Sequence, residues 1–411
     1  MSKKCGLLGK RLGHSYSARI HELLGDYSYE YFERDEEDVR DFILGGDFDG
    51  INVTVPYKKT VIPYLDAMSE RAREIGAVNT VYRSQDGRLI GENTDYAGLS
   101  YMLSRAGFDI KGKKVLILGS GGASATAQYL CRTEGACEYV TISRSGENNY
   151  SNIARHYDAH YIINTTPVGM YPNNDGTPLS LDGFDSLVGV ADVIYNPRTT
   201  RLCYEAQMRS VPTTSGLSML VAQAKAASEC FTGVRIDDSV IEDIIRQLER
   251  ESENIILVGM PGCGKSKVSC ALAELLSREV IDTDAVVERE SGRSIPDIFR
   301  EEGEGAFRDM EHSAVCGACA LSGRVIATGG GVPTFERNIM PMRQNGRVVY
   351  LRRPTHELSR GGRPLSEGAD MDEMFRVRRP HYEGCADVTV DVRENPEATA
   401  QAIIDELYGG K

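Results

Sequence analysis

The sequence predicts an α/β protein built mainly on parallel sheets. Apolar runs of strand length alternate along the chain with longer stretches of helical character, a pattern typical of strands joined by crossover helices. Two segments share the order of buried strand, glycine-rich turn and helix, KKVLILGSGGASATAQYL at 113–130 and IILVGMPGCGKSKVSCALAELL at 255–276. A charged, polar stretch lies between them, RQLERESEN at 246–254, and we place the main boundary near residue 252.

Length and composition fit more than one domain. At roughly 100–200 residues per domain, the 411 residues suggest two or three. No apolar run approaches the ~18 residues that cross a bilayer. The start, MSKKCGLLGK, has too short an apolar part for a signal peptide, so we expect a cytoplasmic protein.

The formal net charge of -13 argues against some partners. A surface of that sign repels nucleic acid and anionic membranes, so we expect neither as a partner. Small anionic substrates still bind where arginine and lysine side chains converge. The sequence leaves open whether the chain forms an oligomer.

The ten cysteines follow no disulfide framework, and in a cytosolic chain we expect them to be reduced. Only Cys316-x-x-Cys319, with His312 four residues earlier, resembles a ligand set. A metal site normally needs a fourth ligand and a second close pair, and neither is near in sequence. We therefore expect a buried face of small residues here, rather than a metal or redox site.

The first part of the chain is itself divided. Residues 1–98 contain short strands and helices, a strand–turn–helix unit begins at Lys113, and the sequence after about residue 213 is helical in character. We expect this last stretch to pack back on the first lobe. The predicted organisation is one lobe of 1–98 plus 213–252, a second lobe of 99–212, and a further domain of 253–411.

The glycine turn GSGGAS at 119–124 predicts a phosphate-binding loop. It lies at a helix N-terminus, where free N–H groups and the helix dipole favour anions. The next strand, YVTISRS at 139–145, completes a Rossmann-like βαβ pattern. A tight strand-to-helix connection is the alternative. The residues expected to bind a dinucleotide are Gly119, Ser120, Gly121, Gly122 and Ala123.

The end of the second strand indicates which dinucleotide binds. An acidic residue there suits the ribose 2′-hydroxyl of NAD, whereas an arginine suits the 2′-phosphate of NADP. This position holds Arg144 between Ser143 and Ser145. We expect all three to contact NADP(H); a solvated surface arginine is the alternative.

Seven motifs in order now carry a resemblance to shikimate dehydrogenase over residues 1–250. They are GHSYSARIH (13–21), INVTVPYKK (51–59), GAVNT (76–80), ENTDYAG (92–98), NTTPVGM (164–170), YNPRTTRL (195–202) and GLSMLVAQA (216–224). The resemblance implies reduction of 3-dehydroshikimate. It further implies substrate contacts from Ser15, Ser17, Thr54, Asn79, Asp95, Tyr195 and Gln223. The two serines would bind the carboxylate, and the others would bind hydroxyls or complete the pocket.

The resemblance also implies a catalytic pair, Lys58 and Asp95. The chemistry suits these residue types, because ketone reduction places negative charge on an oxygen that an ammonium can stabilise and protonate. We take the adjacent Lys59 as solvated; a surface lysine is the alternative for Lys58 as well. The sequence departs from the family at Ala18, where proline is usual, and in the short stretch between Arg144 and Asn164.

The second glycine segment, GMPGCGKS at 259–266, fits the P-loop pattern G-x-x-x-x-G-K-[ST]. In that pattern backbone N–H groups surround the phosphates of ATP, the lysine reaches the β- and γ-phosphates, and the hydroxyl holds Mg²⁺. The residues expected to bind nucleotide are Gly262, Cys263, Gly264, Lys265 and Ser266. In IDTD, at 281–284, we expect Asp282 to hold Mg²⁺ through water.

Further motifs carry a resemblance to shikimate kinase across 254–409: IDTD, FRDMEH (307–312), TGGG (328–331), RGGRPL (360–365) and RRPHY (378–382). Arg308 and Glu311 share one helical face in this pattern. The resemblance implies that Asp284 binds the shikimate hydroxyls and acts on the attacking one, and that Arg308 and Arg379 grip the carboxylate. It assigns the pocket lining to Gly329, Gly330 and Gly331. Arg363 would neutralise charge on the transferring phosphoryl group. It lies on a lid that is shorter than usual, because only two glycines separate Arg363 from Arg360.

The two halves together predict a bifunctional enzyme that performs consecutive steps, an NADPH-dependent reduction followed by an ATP- and Mg²⁺-dependent phosphorylation. Three alternatives stay open. In the first, the first half prefers quinate and NAD. In the second, the second half acts on gluconate or a nucleotide, and in the third, one half is a silent binding or regulatory module. Arg144 argues against the first alternative. The set of DTD, FRxxE and GGG motifs argues against the second. The third is opposed by the intact pairs Lys58–Asp95 and Lys265–Asp284.

Overall fold

The computed structural model describes residues 3–13, 16–359 and 370–409. Ser15, Arg360 and Arg363 therefore lie outside the described residues. The chain divides into two units, Met1–Gln247 and Leu248–Lys411, and the division falls inside the helix Ser239–Ser252, just before the boundary expected near residue 252. Within the described ranges, no helix is long and apolar enough to cross a membrane.

The first lobe of the first unit is a mixed sheet of six strands with the order β2-β1-β3-β5-β6-β4. Its strands are β1 (Lys4–Gly9), β2 (Ser28–Glu33), β3 (Gly50–Val53), β4 (Ala67–Met68), β5 (Thr80–Arg83) and β6 (Leu89–Glu92). Its helices are α1 (Ser17–Leu24), α2 (Glu36–Gly45), α3 (Glu70–Ile75) and α4 (Asp95–Arg105). Strand β5 runs antiparallel to both β3 and β6. This brings the residues after β3, before β5 and after β6 to one place.

The second lobe is a five-stranded parallel sheet with the order β11-β10-β9-β7-β8. Its elements are β7 (Lys114–Leu118), α5 (Gly122–Thr133), β8 (Glu138–Ile142), β9 (Tyr161–Asn164), β10 (Gly189–Asp192), α6 (Arg201–Met208) and β11 (Thr213–Ser215). Numbered within the lobe, this is the doubly wound order 2-1-3-4-5, whose ligand crevice lies where the order reverses, between β7 and β9. The short connection from β8 to β9 contains a 3-10 helix, Tyr150–His156.

Two helices complete the first unit, α7 (Leu217–Thr232) and α8 (Ser239–Ser252), the second of which crosses into the next unit. Helix α7 packs on the first lobe, against α1, α4, β3 and β5. The stretch expected to be helical from residue 213 begins instead with β11, which belongs to the sheet of the second lobe. A Cβ added at Gly98 of α4 would lie 2.5 Å from the carbonyl oxygen of Met219 in α7. The glycine is therefore required for the close approach of these two helices.

The second unit is a parallel sheet with the order β13-β14-β12-β15-β16, as expected for a P-loop domain. Its strands are β12 (Asn254–Val258), β13 (Val280–Asp282), β14 (Val325–Ala327), β15 (Gly346–Arg352) and β16 (Val388–Asp391). Its helices are α9 (Lys265–Leu276), α10 (Thr283–Ser291), α11 (Ile295–Ala320), α12 (Ile339–Asn345), α13 (Met371–Cys385) and α14 (Pro396–Tyr408). Strand β12 is buried along its whole length at the centre of the core. The α/β class is confirmed in both units.

The cysteine pair singled out in the sequence lies on α11. Cys319 is buried in the core, whereas Cys316 is half-buried, with its sulfur 3.6 Å from Nε2 of His312. The other ring nitrogen of His312 lies 2.7 Å from Oδ1 of Asn338. No group of three histidine, cysteine or acidic side chains able to hold a metal ion is found in the described part of the chain.

Two candidate active sites

The first site is centred on Asp95, the first residue of α4. One carboxylate oxygen accepts a hydrogen bond from Nζ of Lys58 at 2.5 Å, and the other accepts from the amide of Asn79 at 2.8 Å. The side chains of Lys58 and Asp95 are 19% and 9% exposed. Burial of this order strengthens the ion pair relative to one in water. The three predicted residues thus form one connected polar group that is only partly accessible to solvent.

The amide of Asn79 is held in a fixed orientation by Thr94. The backbone N–H of Thr94 donates to Oδ1 of Asn79 at 2.7 Å, and Nδ2 of Asn79 also lies 3.0 Å from Oγ1 of Thr94. Nδ2 must therefore face Asp95. Sequence reasoning did not assign this role to Thr94, although it lies inside the ENTDYAG motif.

The other residues expected around the substrate are spread over four segments of the first unit. Ser17 begins α1 and is buried, and Thr54 follows β3, with its N–H bonded to the carbonyl of Leu8. The amide of Gln223 is mostly buried on α7 and donates to the carbonyl of Leu220 at 2.9 Å. The ring of Tyr195 lies 5.6 Å from that of Tyr16, measured between centroids.

The glycine turn lies beside Lys58. Gly119 follows β7 with a φ of 110°, a conformation that favours glycine, and α5 begins at Gly122 with no side-chain cap from the described residues. Its first N–H groups are thus available to an anion. A Cβ on Gly122 would lie 3.3 Å from Cδ of Lys58. The turn therefore fits a dinucleotide pyrophosphate and brings such a ligand close to the Lys58–Asp95 pair.

The predicted ribose site also has a suitable geometry. Ser143, Arg144 and Ser145 directly follow β8, the strand next to β7. Arg144 is exposed, and it forms no ion pair with a carboxylate among the described residues. An unpaired guanidinium at this edge of the sheet suits a 2′-phosphate. The site thus fits the NADP(H) that the sequence predicts.

The second site begins at the P-loop, between β12 and α9. Nζ of Lys265 lies 2.8 Å from the carbonyl of Gly259 and 3.1 Å from that of Met260, so the lysine spans the loop. Gly262 and Gly264 have φ values of 81° and 107°. A Cβ at Gly262 would also lie 2.3 Å from the carbonyl oxygen of Ser359. Only glycine fits there, and Cys263 between the two glycines is buried.

Ser266 and Asp282, the residues expected to hold Mg²⁺, lie in contact beside the P-loop. The hydroxyl of Ser266 donates to Oδ2 of Asp282 at 2.9 Å. The second oxygen of Asp282 caps α10 by accepting from the N–H of Asp284 at 3.0 Å. This fixes the carboxylate beside the P-loop. A hydroxyl and a carboxylate are the donors that Mg²⁺ uses when it also binds nucleotide phosphates, so these residues fit the ion.

A cavity of about 500 Å³ extends from the P-loop to the TGGG segment. The predicted residues at its wall are Gly262, Gly264, Lys265, Ser266, Asp282, Asp284, Arg308, Gly329, Gly330 and Gly331. A Cβ on Gly329 would lie 2.6 Å from Oδ1 of Asp284, and one on Gly331 would lie 2.5 Å from Nη1 of Arg308. The glycines therefore leave room for functional groups to approach a ligand.

Arg308 and Glu311 form a buried ion pair on α11. Nη1 of Arg308 donates to Oε2 of Glu311 at 2.9 Å, and Glu304 accepts from the same guanidinium at 2.9 Å. The side chain of Glu311 is only 1% exposed. Its burial raises the pKa of the Glu311 carboxyl above its usual value, against the lowering influence of Arg308, and the carboxylate of Asp284 raises it further.

The structure corrects one predicted residue. Arg379 does not line the cavity; it is on the exposed side of α13, where it pairs with Glu383 at 2.8 Å. Its neighbour Arg378 lines the cavity instead. Consecutive helical residues point about 100° apart, so the two side chains leave α13 in different directions. The sequence motif RRPHY did not reveal which arginine faces inward, and it also gave no indication of Arg353, which lines the same cavity.

Comparisons with known protein families match a different family in each of the two units. Residues 7–81 match the family model described as shikimate dehydrogenase substrate binding domain. Residues 261–408 match the family model described as shikimate kinase.

Individual relatives cover the first part of the chain almost end to end. The shikimate dehydrogenase (NADP(+)) of Clostridium perfringens (strain SM101 / Type A) is 34% identical over 268 residues, which span 60% of this chain and 98% of that protein. The structure of shikimate dehydrogenase 1 from Peptoclostridium difficile is 36% identical with a TM-score of 0.55, and covers 60% of this chain and 98% of its own. A chorismate mutase/shikimate 5-dehydrogenase fusion protein from Clostridium acetobutylicum is 33% identical with a TM-score of 0.58, and covers 61% and 98%.

Proposed function

We infer that this chain, which belongs to the shikimate dehydrogenase family and carries a shikimate kinase domain after it, is a bifunctional enzyme of the shikimate pathway. Its first site reduces 3-dehydroshikimate to shikimate with NADPH. Its second site phosphorylates shikimate with ATP and Mg²⁺ to give shikimate 3-phosphate. The product of the first reaction is thus the substrate of the second.

In the first site, Lys58 is the proposed acid. NADPH bound at the glycine turn supplies the hydride. The ammonium of Lys58 stabilises the negative charge that develops on the ketone oxygen and donates its proton to it. Asp95 keeps that ammonium oriented through its 2.5 Å hydrogen bond, and Asn79 fixes the other oxygen of Asp95. Ser17, Thr54, Tyr195 and Gln223 remain proposed substrate contacts, as does Ser15, which lies outside the described residues.

In the second site, Asp284 is the proposed base. It accepts the proton of the attacking hydroxyl, while the buried Arg308 and the neighbouring Arg378 bind the substrate carboxylate. Lys265 and the P-loop N–H groups hold the ATP phosphates. Mg²⁺ at Ser266 and Asp282 supplies positive charge to those phosphates. The role of Arg363 in the lid stays a prediction, since that residue lies outside the described part.

One observation carries the proposal. Each of the two units places a glycine loop beside an acidic side chain: Gly122 lies next to the Lys58–Asp95 pair, and the P-loop lines one cavity with Asp284. The test is a single reaction of the full chain with 3-dehydroshikimate, NADPH, ATP and Mg²⁺, analysed by mass spectrometry. We expect shikimate 3-phosphate. Accumulation of shikimate alone would contradict the kinase assignment, and unchanged 3-dehydroshikimate would contradict the dehydrogenase assignment.

The variant Arg144→Ser is expected to raise the KM for NADPH about tenfold or more and to leave the KM for NADH within about twofold, because one charge-assisted contact to the 2′-phosphate is lost. Steady-state rates with each cofactor measure this. Arg155, a second exposed arginine in the same connection, provides the matched control Arg155→Ser. An equal effect on both cofactors would show that Arg144 does not recognise the 2′-phosphate, and would leave NAD as the alternative.

The variant Arg378→Ala is expected to raise the KM for shikimate by about one to two orders of magnitude, the size of a lost charge-assisted hydrogen bond to a carboxylate. The adjacent variant Arg379→Ala removes the same charge from the exposed side of α13 and should leave that KM within about twofold. Kinase assays at saturating ATP compare the two. The reverse order of effects would restore the sequence prediction for Arg379.

A further inference from the structure

Asp192 is a buried carboxylate that joins three segments of the second lobe. It is the last residue of β10 and has no exposed surface. One oxygen accepts from the backbone N–H of Ile194 at 3.0 Å. The other accepts from the amide of Asn164 at 3.0 Å and from the hydroxyl of Thr200 at 2.8 Å. These donors come from the carboxyl end of β9 and from the connection between β10 and α6.

Through Asn164, Asp192 is connected to the glycine turn after β7. Oδ1 of Asn164 accepts from the N–H of Thr166 at 3.0 Å and from its hydroxyl at 2.8 Å, so its Nδ2 must face Asp192. The segment held in this way packs on the turn after β7. A Cβ on Gly119 would lie 2.7 Å from Oγ1 of Thr165 and 3.2 Å from Cγ2 of Thr166.

The Ile194 contact connects Asp192 to the start of α7. The carbonyl of Ile194 accepts from the N–H of Gly216 at 2.9 Å, at the start of α7. The next residue is Tyr195, whose ring contacts Tyr16 in the first lobe. Asp192 thus fixes two loops, one behind the proposed pyrophosphate site and one beside the proposed substrate site.

We propose that Asp192 is a positioning residue for NADPH binding, which holds the 164–166 segment against the glycine turn through Asn164. This inference rests on the proposed dehydrogenase function. A carboxylate is required because two acceptor oxygens must serve donors from three residues. An amide has a single acceptor oxygen, so in the variant Asp192→Asn one donor would face another donor, which leaves a buried polar group unsatisfied.

Protonation of Asp192 should have the same effect as the amide. Burial raises the pKa of this carboxyl to about 6, against the lowering influence of its three hydrogen bonds. The titratable group facing it is the Cys203 thiol of α6, whose own pKa is raised by burial. We therefore expect the KM for NADPH of the wild-type chain to rise as the pH falls below about 6. This rise should be smaller in Asp192→Asn, where only the titration of the 2′-phosphate of NADPH itself, with a pKa of about 6, remains.

The test uses the full chain and steady-state dehydrogenase kinetics. Asp192→Asn is expected to raise the KM for NADPH about tenfold and to change kcat much less, since one buried hydrogen bond is lost in binding. The exchanged pair Asn164→Asp with Asp192→Asn restores a donor facing an acceptor and should recover most of that loss. The kinase activity of the same chain, which resides in the other unit, normalises the amount of chain, and the thermal unfolding curve of each variant reports whether the dehydrogenase unit is folded.

The outcomes separate this inference from the function on which it rests. If the wild-type chain does not oxidise NADPH with 3-dehydroshikimate, the proposed function fails. If it does, a wild-type KM for NADPH in Asp192→Asn, or a loss in kcat alone, overturns the positioning role. Should Asp192→Asn not fold, the exchanged pair and the wild-type pH profile decide: a KM for NADPH that stays flat below about pH 6 also overturns it.

Discussion

The variant Lys58→Met reduces 3-dehydroshikimate about 10³-fold more slowly in kcat than the wild-type chain, which is the size expected when a positioned acid and its charge are both lost. Methionine keeps the length of the side chain and its apolar contact with the glycine turn. The KM for either substrate should change little, because the lost interaction is made chiefly in the transition state. NADPH consumption by the purified chain measures the effect.

The adjacent Lys59 supplies the control. Lys59 is exposed, whereas Lys58 bonds Asp95 at 2.5 Å. Lys59→Met should therefore keep kcat within about twofold of wild type. Kinase activity, measured on each variant, should be unchanged because it resides in the other unit. Similar losses for the two lysines, or a fall of less than about tenfold for Lys58→Met, would remove Lys58 from the role of acid.

The glycine loops and the residues directly attached to them could be predicted from the sequence, because local spacing determines their geometry. A strand, a turn with positive φ and a helix N-terminus together form the anion site. The pair Lys58–Asp95 is different. Its members are 37 residues apart, and only the antiparallel pairing of β5 with β3 and β6 brings them into contact. Motif resemblance identified the pair, whereas periodicity alone gave no reason to join the two.

What the sequence did not reveal depends on orientation and long-range contacts. RRPHY contains two arginines, and the packing of α13 decides which of them points into the cavity. Arg378 lines the cavity, whereas Arg379 lies outside it. Asp192 ends an apolar strand run, where its partners Asn164 and Thr200 are 28 and 8 residues away. The contact with Asn164 could not be deduced without the register of β9 against β10, which places Asn164 opposite Asp192.

The variant Asp284→Asn is expected to lower the kcat of shikimate phosphorylation about 10³-fold while the dehydrogenase activity of the same chain stays at the wild-type level. The amide keeps the shape of the side chain at the start of α10 but cannot accept a proton from the attacking hydroxyl. The change also removes a negative charge facing Glu311, so the pKa of that carboxyl should fall towards its usual value. ADP formation that depends on shikimate measures the first effect.

Loss of the base must be distinguished from loss of binding. Glu290 lies on the same helix, is exposed, and does not line the cavity, so Glu290→Gln removes the same charge from α10 away from the site. That control should keep kcat within about twofold. In Asp284→Asn the KM for ATP should stay close to wild type, because Lys265 and the P-loop N–H groups are intact. If instead kcat is retained and only the KM for shikimate rises, Asp284 binds the substrate without acting as its base.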